Sequence, residues 1–460
     1  MGTLSRRRVL QGLGVGAVAA LSACADNPII PTPVPSQGSA TPTAFPSRPG
    51  DSLEVEAAVF DGAFGTDYVR EAGDALTTQY PGISVTITPV TSVSGELADR
   101  FADGGTPPDL LDNSGPGAFP LASMVDDFED LTALLLTASA DGTVLGDTLT
   151  ENATAPGLIG QKQVAINYAL SVYGLWHSAT RFAAEGWTMP ATWDAMLALA
   201  EEARSSDTYL FVYGEDSADY YQELAITSAI KEGGHEVRIA LDNLADGAWH
   251  HPAVTGVLAQ LEACVAEGYV LDGGEGHVAA QAQWSQQDRA LLYPAGSWIA
   301  REMEGRTAAD FEMTVSPVPT LTSSPALPPA AAHLTPTEAL VVPTNSANPE
   351  GGKELLRSLL SLPVAESFVR ANLTPTVVRS SVPADLTSSA LTSQTRVIAD
   401  AGDAIFTWRF PSYYGLNTQQ NALWNRFFAG SLTAATLAEH LQALSDKAAA
   451  DPAFERYTVS

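Results

Sequence analysis

The chain has 460 residues, of which 45% are hydrophobic, and 53 acidic side chains against 23 basic ones give a formal net charge of -30. Nucleic acids and anionic lipid surfaces need a basic footprint, so this acidic excess argues against both as partners. The length exceeds what one hydrophobic core normally serves, and two lobes are therefore expected.

Residues 1–23 have the pattern of a targeting peptide. A Ser-Arg-Arg-Arg run at positions 5–8 precedes an uncharged, glycine- and alanine-rich run, which is too short to span a bilayer as a mature helix. The arginines resemble a twin-arginine export signal, and Leu-Ser-Ala-Cys at positions 21–24 resembles a lipobox that would make Cys24 a lipidated residue. An ordinary secretory signal with an accidental cysteine is the alternative.

Residues 24–50 are dense in proline, serine and threonine, so they predict a disordered tether. Cys24 at its start and the tether together predict a domain held just outside a membrane. The second cysteine, Cys264, lies in an apolar helical pattern and is expected to be a buried small hydrophobe without a disulfide or metal role.

Strands alternate with helices after the tether. This spacing implies parallel βαβ units, in which ligands bind near the carboxyl ends of the strands. The predicted strands are 53–60, 83–88 and 108–112, and the predicted helices are 67–79 and 96–103. The residues that this places at the edge of a cleft are Asp61, Phe64, Asp112, Asn113 and Ser114.

A second α/β lobe is predicted to begin with a strand at 163–168, which leads through 173–176 into a helix. Thr192 is the expected N-cap of the next helix, since threonine accepts well from the first free amides. Proline-rich residues 314–336 indicate a crossover or surface loop. The other predicted elements are helices at 193–204, 281–288, 349 onward and 434–450, and strands at 289–294 and 339–343.

Several short motifs resemble family 1 extracellular solute-binding proteins, the maltose-binding-like group, in their order and spacing. They stand at 105–109, 173–176, 186–194 and 295–298. A narrower set resembles the actinobacterial binding proteins for N-acetylglucosamine and N,N'-diacetylchitobiose. These motifs stand at 60–68, 112–115, 242–254 and 268–271.

The resemblance implies an α/β type II periplasmic-binding-protein fold, with two α/β lobes joined by hinge-crossing strands. Lobe 1 is expected to comprise 51–165 plus 333–378, and lobe 2 to comprise 166–332 plus 379–460. The lobes would close on one carbohydrate, and periplasmic binding proteins are a standard example of such hinge closure. The implied protein is a monomer without a cofactor, held at the extracytoplasmic face of the cell membrane only through Cys24. Its partners would be the sugar and the transmembrane permease subunits of an ABC importer.

A sugar needs flat aromatic platforms for its C–H faces and hydrogen-bond partners for its hydroxyl rim. Trp298, at a strand-to-helix turn, matches the cleft aromatic of the resembled family. Phe64 departs from the tyrosine expected in chitobiose-binding relatives, which puts a polar contact there in doubt. Core packing is the alternative for most aromatic candidates, and a plug at the lobe surface is the alternative for Trp298. Asp112 and Asn113 could instead cap a helix or loop. The full set of ligand-binding candidates is Trp298, Asp112, Asn113, Tyr413, Tyr414, Asp61, Phe64, Tyr68, Tyr173, Trp176, Tyr220, Tyr221, Trp284 and Trp408.

An enzyme is the less favoured interpretation. A glycoside hydrolase would need two carboxylates in a cleft, one of them with a raised pKa, and no such pair stands out in the sequence. A Gly-x-Ser-x-Gly nucleophile motif near a histidine is absent, and His250-His251 lacks metal-ligand spacing. A different oligosaccharide ligand, and an adhesin or sensor that uses the same fold, remain open alternatives.

Overall fold

A computed structural model describes residues 54–452, except 103, 140 and 152, together with 458 and 459. The predicted signal peptide, Cys24 and the tether lie outside the described residues. In the described part of the chain, no helix combines the length and the apolar character needed to cross a membrane.

Strands and helices alternate along most of the described chain. The strands are β1 (Glu54–Phe60), β2 (Ser84–Val90), β3 (Leu110–Asp112), β4 (Leu158–Ile159), β5 (Lys162–Gln163), β6 (Ile166–Ser178), β7 (Tyr209–Tyr213), β8 (Val270–Asp272), β9 (Ala290–Ala295), β10 (Met313–Ser316), β11 (Ala332–Val341) and β12 (Ile405–Phe406). The helices are α1 (Asp67–Gln79), α2 (Val93–Phe101), α3 (Thr132–Leu135), α4 (Ala179–Glu185), α5 (Trp193–Arg204), α6 (Tyr220–Gly233), α7 (His235–Asp242), α8 (Pro252–Ala266), α9 (His277–Ser285), α10 (Ile299–Glu302), α11 (Pro349–Leu359), α12 (Leu362–Asn372), α13 (Ser389–Ala401), α14 (Phe410–Tyr414), α15 (Asn417–Phe428) and α16 (Ala434–Ala450).

Two long strands connect the two halves of the main sheet, whose order is β2-β1-β3-β11-β6-β9-β7-β8. β1 lies parallel to β2 and β3, and β7 lies parallel to β8 and β9. β11 is antiparallel to both β3 and β6. Its partners on β6 are residues 166–173, whereas β9 pairs with Gly174–Trp176 further along the same strand. β6 and β11 are therefore the hinge-crossing strands of a two-lobe α/β fold.

Helices cover the sheet on both sides and bury apolar cores. Leu76 of α1 and Leu355 of α11 pack with Val55 of β1 in one core. Cys264 is buried in another, where burial raises the pKa of its thiol to about 12. The prediction that Cys264 is a buried small hydrophobe is confirmed.

Local signals predicted most elements well. α1, α5 and α16 occupy the predicted residues, and the Thr192 side chain accepts from the Ala195 amide as the expected N-cap. The prediction of a crossover or surface loop at 314–336 is wrong at both ends, because β10 occupies 313–316 and β11 already begins at Ala332. Pro336 lies within β11 opposite Leu170. The Leu170 amide donates to the Pro375 carbonyl and not to β11.

Candidate functional site

The carboxyl ends of β1 and β3 meet at one edge of the sheet, where Phe60 occupies the space between two glycines. A Cβ atom at Gly62 or at Gly115 would come within 2.2 Å of the Phe60 ring. Gly115 also has a φ of 70°, which disfavours other residues. Asp61, which follows Phe60, is exposed, and its amide donates to the Val90 carbonyl. The segments that contain Gly62 and Gly115 thus both pack closely against the Phe60 ring.

Asp112 ends β3 and is 1% exposed. Its Oδ2 accepts from the Tyr68 hydroxyl at 3.1 Å, while Oδ1 has no hydrogen-bond partner of normal geometry among the described residues. Burial raises the pKa of the carboxyl to about 6, and hydrogen bonds from Ser114, Tyr68 and the Phe60 amide oppose the rise. Asp112 therefore presents a buried carboxyl oxygen, Oδ1, for which the described residues supply no donor of normal geometry.

Glu338 lies on the hinge strand β11, two residues before Leu340, which pairs with Asp112 of β3. The sequence interpretation did not include Glu338. It is 7% exposed, its φ is 47°, and its Oε2 has no hydrogen-bond partner within the described residues. Burial, followed by the charge of Asp112, raises the pKa of Glu338 well above the ordinary value. The sequence signal that could have identified Glu338 is its position directly before the apolar run 339–342.

Trp298 follows β9 and is half-buried between the lobes, since it packs against apolar cores that contain residues of both. The Tyr220 ring lies against it, with centroids 5.6 Å apart and planes at 63°. The Tyr173 hydroxyl donates to the Tyr220 carbonyl and so fixes the first turn of α6. The structure therefore brings the predicted candidates Trp298, Tyr220 and Tyr173 together.

A polar cluster lies beside these aromatic rings, where β11 meets the first turn of α6. His333 of β11 is fully buried and stacks on Phe406 with centroids 5.7 Å apart. Its Nδ1 is 3.2 Å from Glu223 Oε2, and its Nε2 has no partner among the described residues. Burial, and next the charge of Glu223, raises the pKa of Asp219 to about 7. Sequence reasoning missed these three polar residues, because a long-range strand pairing brings His333 to α6.

The aromatic segment 408–414 is held in place by Asp242. Asp242 Oδ1 accepts from the amides of Arg409 and Phe410 at 2.9 Å, and the Tyr414 hydroxyl donates to the Asp242 carbonyl. Arg409 Nη1 donates to the Tyr413 hydroxyl at 2.7 Å. Asp242 thus anchors the backbone at the start of this aromatic segment. Trp408 is 1% exposed and stacks on Phe410 with centroids 5.8 Å apart.

Other candidates are held by protein groups within the lobes. The polar atoms of Trp176, Tyr221 and Trp284 donate to the carbonyls of Ala295, Val212 and Leu291, respectively. Phe64 and Tyr68 pack against Phe368. Asn113 braces the following loop, since its amide nitrogen donates to the Phe119 carbonyl and its oxygen accepts from the Phe119 amide. Asp112, Glu338 and Trp298 each have a buried polar atom without a partner among the described residues, and Tyr220 lies against Trp298.

Residues 63–366 match the family described as bacterial extracellular solute-binding protein, and the chain belongs to this family. Its two lobes, crossing strands and interlobe aromatic residues fit that class. The chain is also 42% identical, over 468 aligned positions, to the diacetylchitobiose binding protein NgcE of Streptomyces coelicolor. The alignment covers 100% of this chain and 99% of that protein.

Solved structures of sugar-binding proteins have the same fold. A chitin oligosaccharide binding protein superposes with a TM-score of 0.70 at 16% identity, covering 87% of this chain and 100% of that one. RafE in complex with raffinose gives 0.66 at 17% identity, with the same coverage. MalE from Xanthomonas citri gives 0.64 at 14% identity, covering 86% of this chain and 97% of that one. These likenesses confirm the type II fold expected from the sequence.

Proposed function

We propose that this chain captures N,N'-diacetylchitobiose, or the smaller N-acetylglucosamine, between its lobes and delivers it to the permease of an ABC importer. The observation that carries the ligand assignment is the 42% identity along the full length of a diacetylchitobiose binding protein. The protein binds and releases the sugar without making or breaking a bond.

Trp298 and Tyr220 supply the aromatic surface of the proposed site. Stacking one pyranose face on an indole removes roughly 100 Å² of apolar surface from water, which is worth about 2.5 kcal/mol. Two aromatic contacts with several hydrogen bonds would reach micromolar affinity, or roughly -8 kcal/mol. The 5.6 Å contact between the two rings supports their action as one unit.

Asp112 and Glu338 supply hydrogen-bond acceptors on the other side of the proposed site. Sugar hydroxyls and acetamido N–H groups are donors, and a carboxylate accepts from them more strongly than a neutral oxygen does. Each of the two side chains has one buried oxygen without a partner among the described residues. A ligand that donates to these oxygens would offset the cost of their burial.

The hinge strands β6 and β11 couple binding to lobe closure in this proposal. A sugar shifts the population toward the closed form only as far as it binds that form better than the open one. Lobe limits of 51–165 plus 333–378 and of 166–332 plus 379–460 are part of the proposal. The permease would then distinguish loaded from empty protein by its closure.

The proposal includes export by the twin-arginine signal, lipidation of Cys24 and action as a monomer on a tether of residues 24–50. Membership of an extracellular family supports a location outside the cytoplasm. Replacing Cys24 with serine should release the protein from the membrane fraction without loss of sugar binding. Continued membrane association of that variant would contradict the anchor.

The ligand is tested by calorimetric titration of non-lipidated protein with N-acetylglucosamine, N,N'-diacetylchitobiose, maltose and cellobiose. One-to-one micromolar binding of an acetylated sugar alone is expected, with the sugar recovered intact. Binding of maltose or cellobiose alone would refute the ligand assignment but not the transport class. Recovery of hydrolysed sugar would instead favour a glycoside hydrolase.

A further inference from the structure

Two buried carboxyl groups, each with one oxygen that has no partner among the described residues, lie on neighbouring strands where the hinge enters the first lobe. Asp112 ends β3, and it pairs with Leu340 of β11, two residues beyond Glu338. The Ser114 hydroxyl accepts from the Ala339 amide at 2.9 Å and holds β11 against the loop that follows β3. This register makes Glu338 a diagonal neighbour of Asp112 on the adjacent strand, a separation that long side chains can bridge.

Neither carboxyl group has a cationic partner in the part of the chain that the structure describes. The ion pairs of the described residues include neither Asp112 nor Glu338. Tyr68 of α1 and Tyr168 of β6 stack on each other with centroids 5.6 Å apart, and the Tyr68 hydroxyl donates to Asp112. The exposed Arg370 of α12 forms its ion pair with Asp385, at 2.6 Å, and not with either of the two acids. Two neighbouring carboxylates without a countercharge cannot both ionise at low cost in a buried site.

The backbone at Glu338 supports a functional role for the pair. A glutamate with a φ of 47° in a strand is strained, and such strain persists only where the surroundings enforce it. The strain falls on the strand that crosses between the lobes. Burial of the charge, and then the neighbouring Asp112, raises the pKa of Glu338, which is the direction expected for a carboxyl that keeps its proton.

We infer that Asp112 and Glu338 share one proton in the ligand-free protein, and that donors of the bound sugar replace that proton, so that sugar capture releases it to solvent. The inference rests on the proposed sugar-binding function. A protonated carboxyl group supplies an O–H donor to its neighbour, as in other carboxyl pairs that hold one proton. Sugar hydroxyls would donate to both groups, stabilise their ionised forms and make the proton unnecessary.

Proton release fixes the direction of the pH dependence. The sugar prefers the ionised pair, so its affinity should rise with pH until the ligand-free pair has lost its proton. Below that point one proton is released on binding, so Kd increases about tenfold for each unit by which the pH is lowered. Glu338→Gln removes the titrating group while keeping the size of the side chain, and should flatten this dependence.

The decisive measurement combines two readouts on the full chain. The first is the infrared C=O stretch of a protonated carboxyl group in ligand-free protein, which should diminish in Glu338→Gln. The second is calorimetry with N,N'-diacetylchitobiose at neutral pH in phosphate and in Tris, whose ionisation enthalpies differ. We expect release approaching one proton from the wild type and almost none from Glu338→Gln.

A matched control lies away from the cleft. Burial raises the pKa of Glu354 to about 7, but its partner is Arg357 in the outer helix α11. Glu354→Gln should therefore leave proton release on sugar binding unchanged. If Glu338→Gln misfolds, Asp112→Asn provides the same test from the other member of the pair.

The outcomes separate this inference from the proposed function. An infrared spectrum in which Glu338→Gln and Asp112→Asn leave the protonated carboxyl band unchanged would refute the shared proton without any reference to sugar. Binding of the sugar with the same enthalpy in both buffers would refute proton release but leave the proposed function intact. If none of the four sugars bound, both proposals would fall.

Discussion

Replacing Trp298 with alanine should weaken sugar binding far more than it weakens the fold. Trp298 is half-buried, with Tyr220 against its ring at 5.6 Å, so part of the indole is available to a ligand. Loss of roughly 100 Å² of stacked apolar surface costs about 2.5 kcal/mol. That free energy corresponds to an increase in Kd of about 60-fold.

The assay is calorimetric titration of Trp298→Ala with N,N'-diacetylchitobiose, alongside thermal unfolding of the same sample. The matched control is Trp284→Phe, because Trp284 is fully buried and its indole N–H donates to the Leu291 carbonyl. That variant should lose stability but keep its affinity within about threefold. An alanine variant at Trp298 that binds within threefold of the wild type would refute its role as the platform.

Three further outcomes are expected. Gly115→Ala should lower the free energy of unfolding by about 1 to 3 kcal/mol in urea titrations, because its Cβ would come within 2.2 Å of the Phe60 ring. Cys264 should resist thiol reagents until the protein unfolds, since burial raises its pKa to about 12. Burial also raises the pKa of Asp219 and of Glu354 to about 7, so both bind protons more tightly in the folded state. The stabilisation from these two protons is complete below the unfolded-state pKa and is lost as the pH rises through about 7. The urea concentration at the unfolding midpoint should therefore decrease as the pH is raised from about 5 to 8. Wild-type stability in Gly115→Ala, fast labelling of folded Cys264, or a midpoint that rises over this pH range would contradict the respective argument.

The sequence was most informative where structure is set locally. The α5 helix follows from the apolar spacing of its residues and from Thr192 at its start, whose side chain accepts from the Ala195 amide. The edge of the sheet that carries Asp112 follows from the alternation of strands and helices. Trp298 emerged from its motif, and the structure places it against both cores.

The sequence was least informative about the hinge. β11 carries Pro336, which normally argues against a strand, and its ladder with β6 joins residues far apart in the chain. That pairing buries His333 and Glu338, whose importance depends on neighbours that local patterns do not identify. Trp176 was a reasonable aromatic candidate from its motif, but it donates to the Ala295 carbonyl within its own lobe.

The most direct test of the account is a crystal structure of the protein with N,N'-diacetylchitobiose. The account predicts one sugar between the lobes, with a pyranose ring on Trp298 and its hydroxyl or acetamido groups within hydrogen-bond distance of Asp112 and Glu338. A sugar bound elsewhere, or in the cleft without contact to these three side chains, would contradict it.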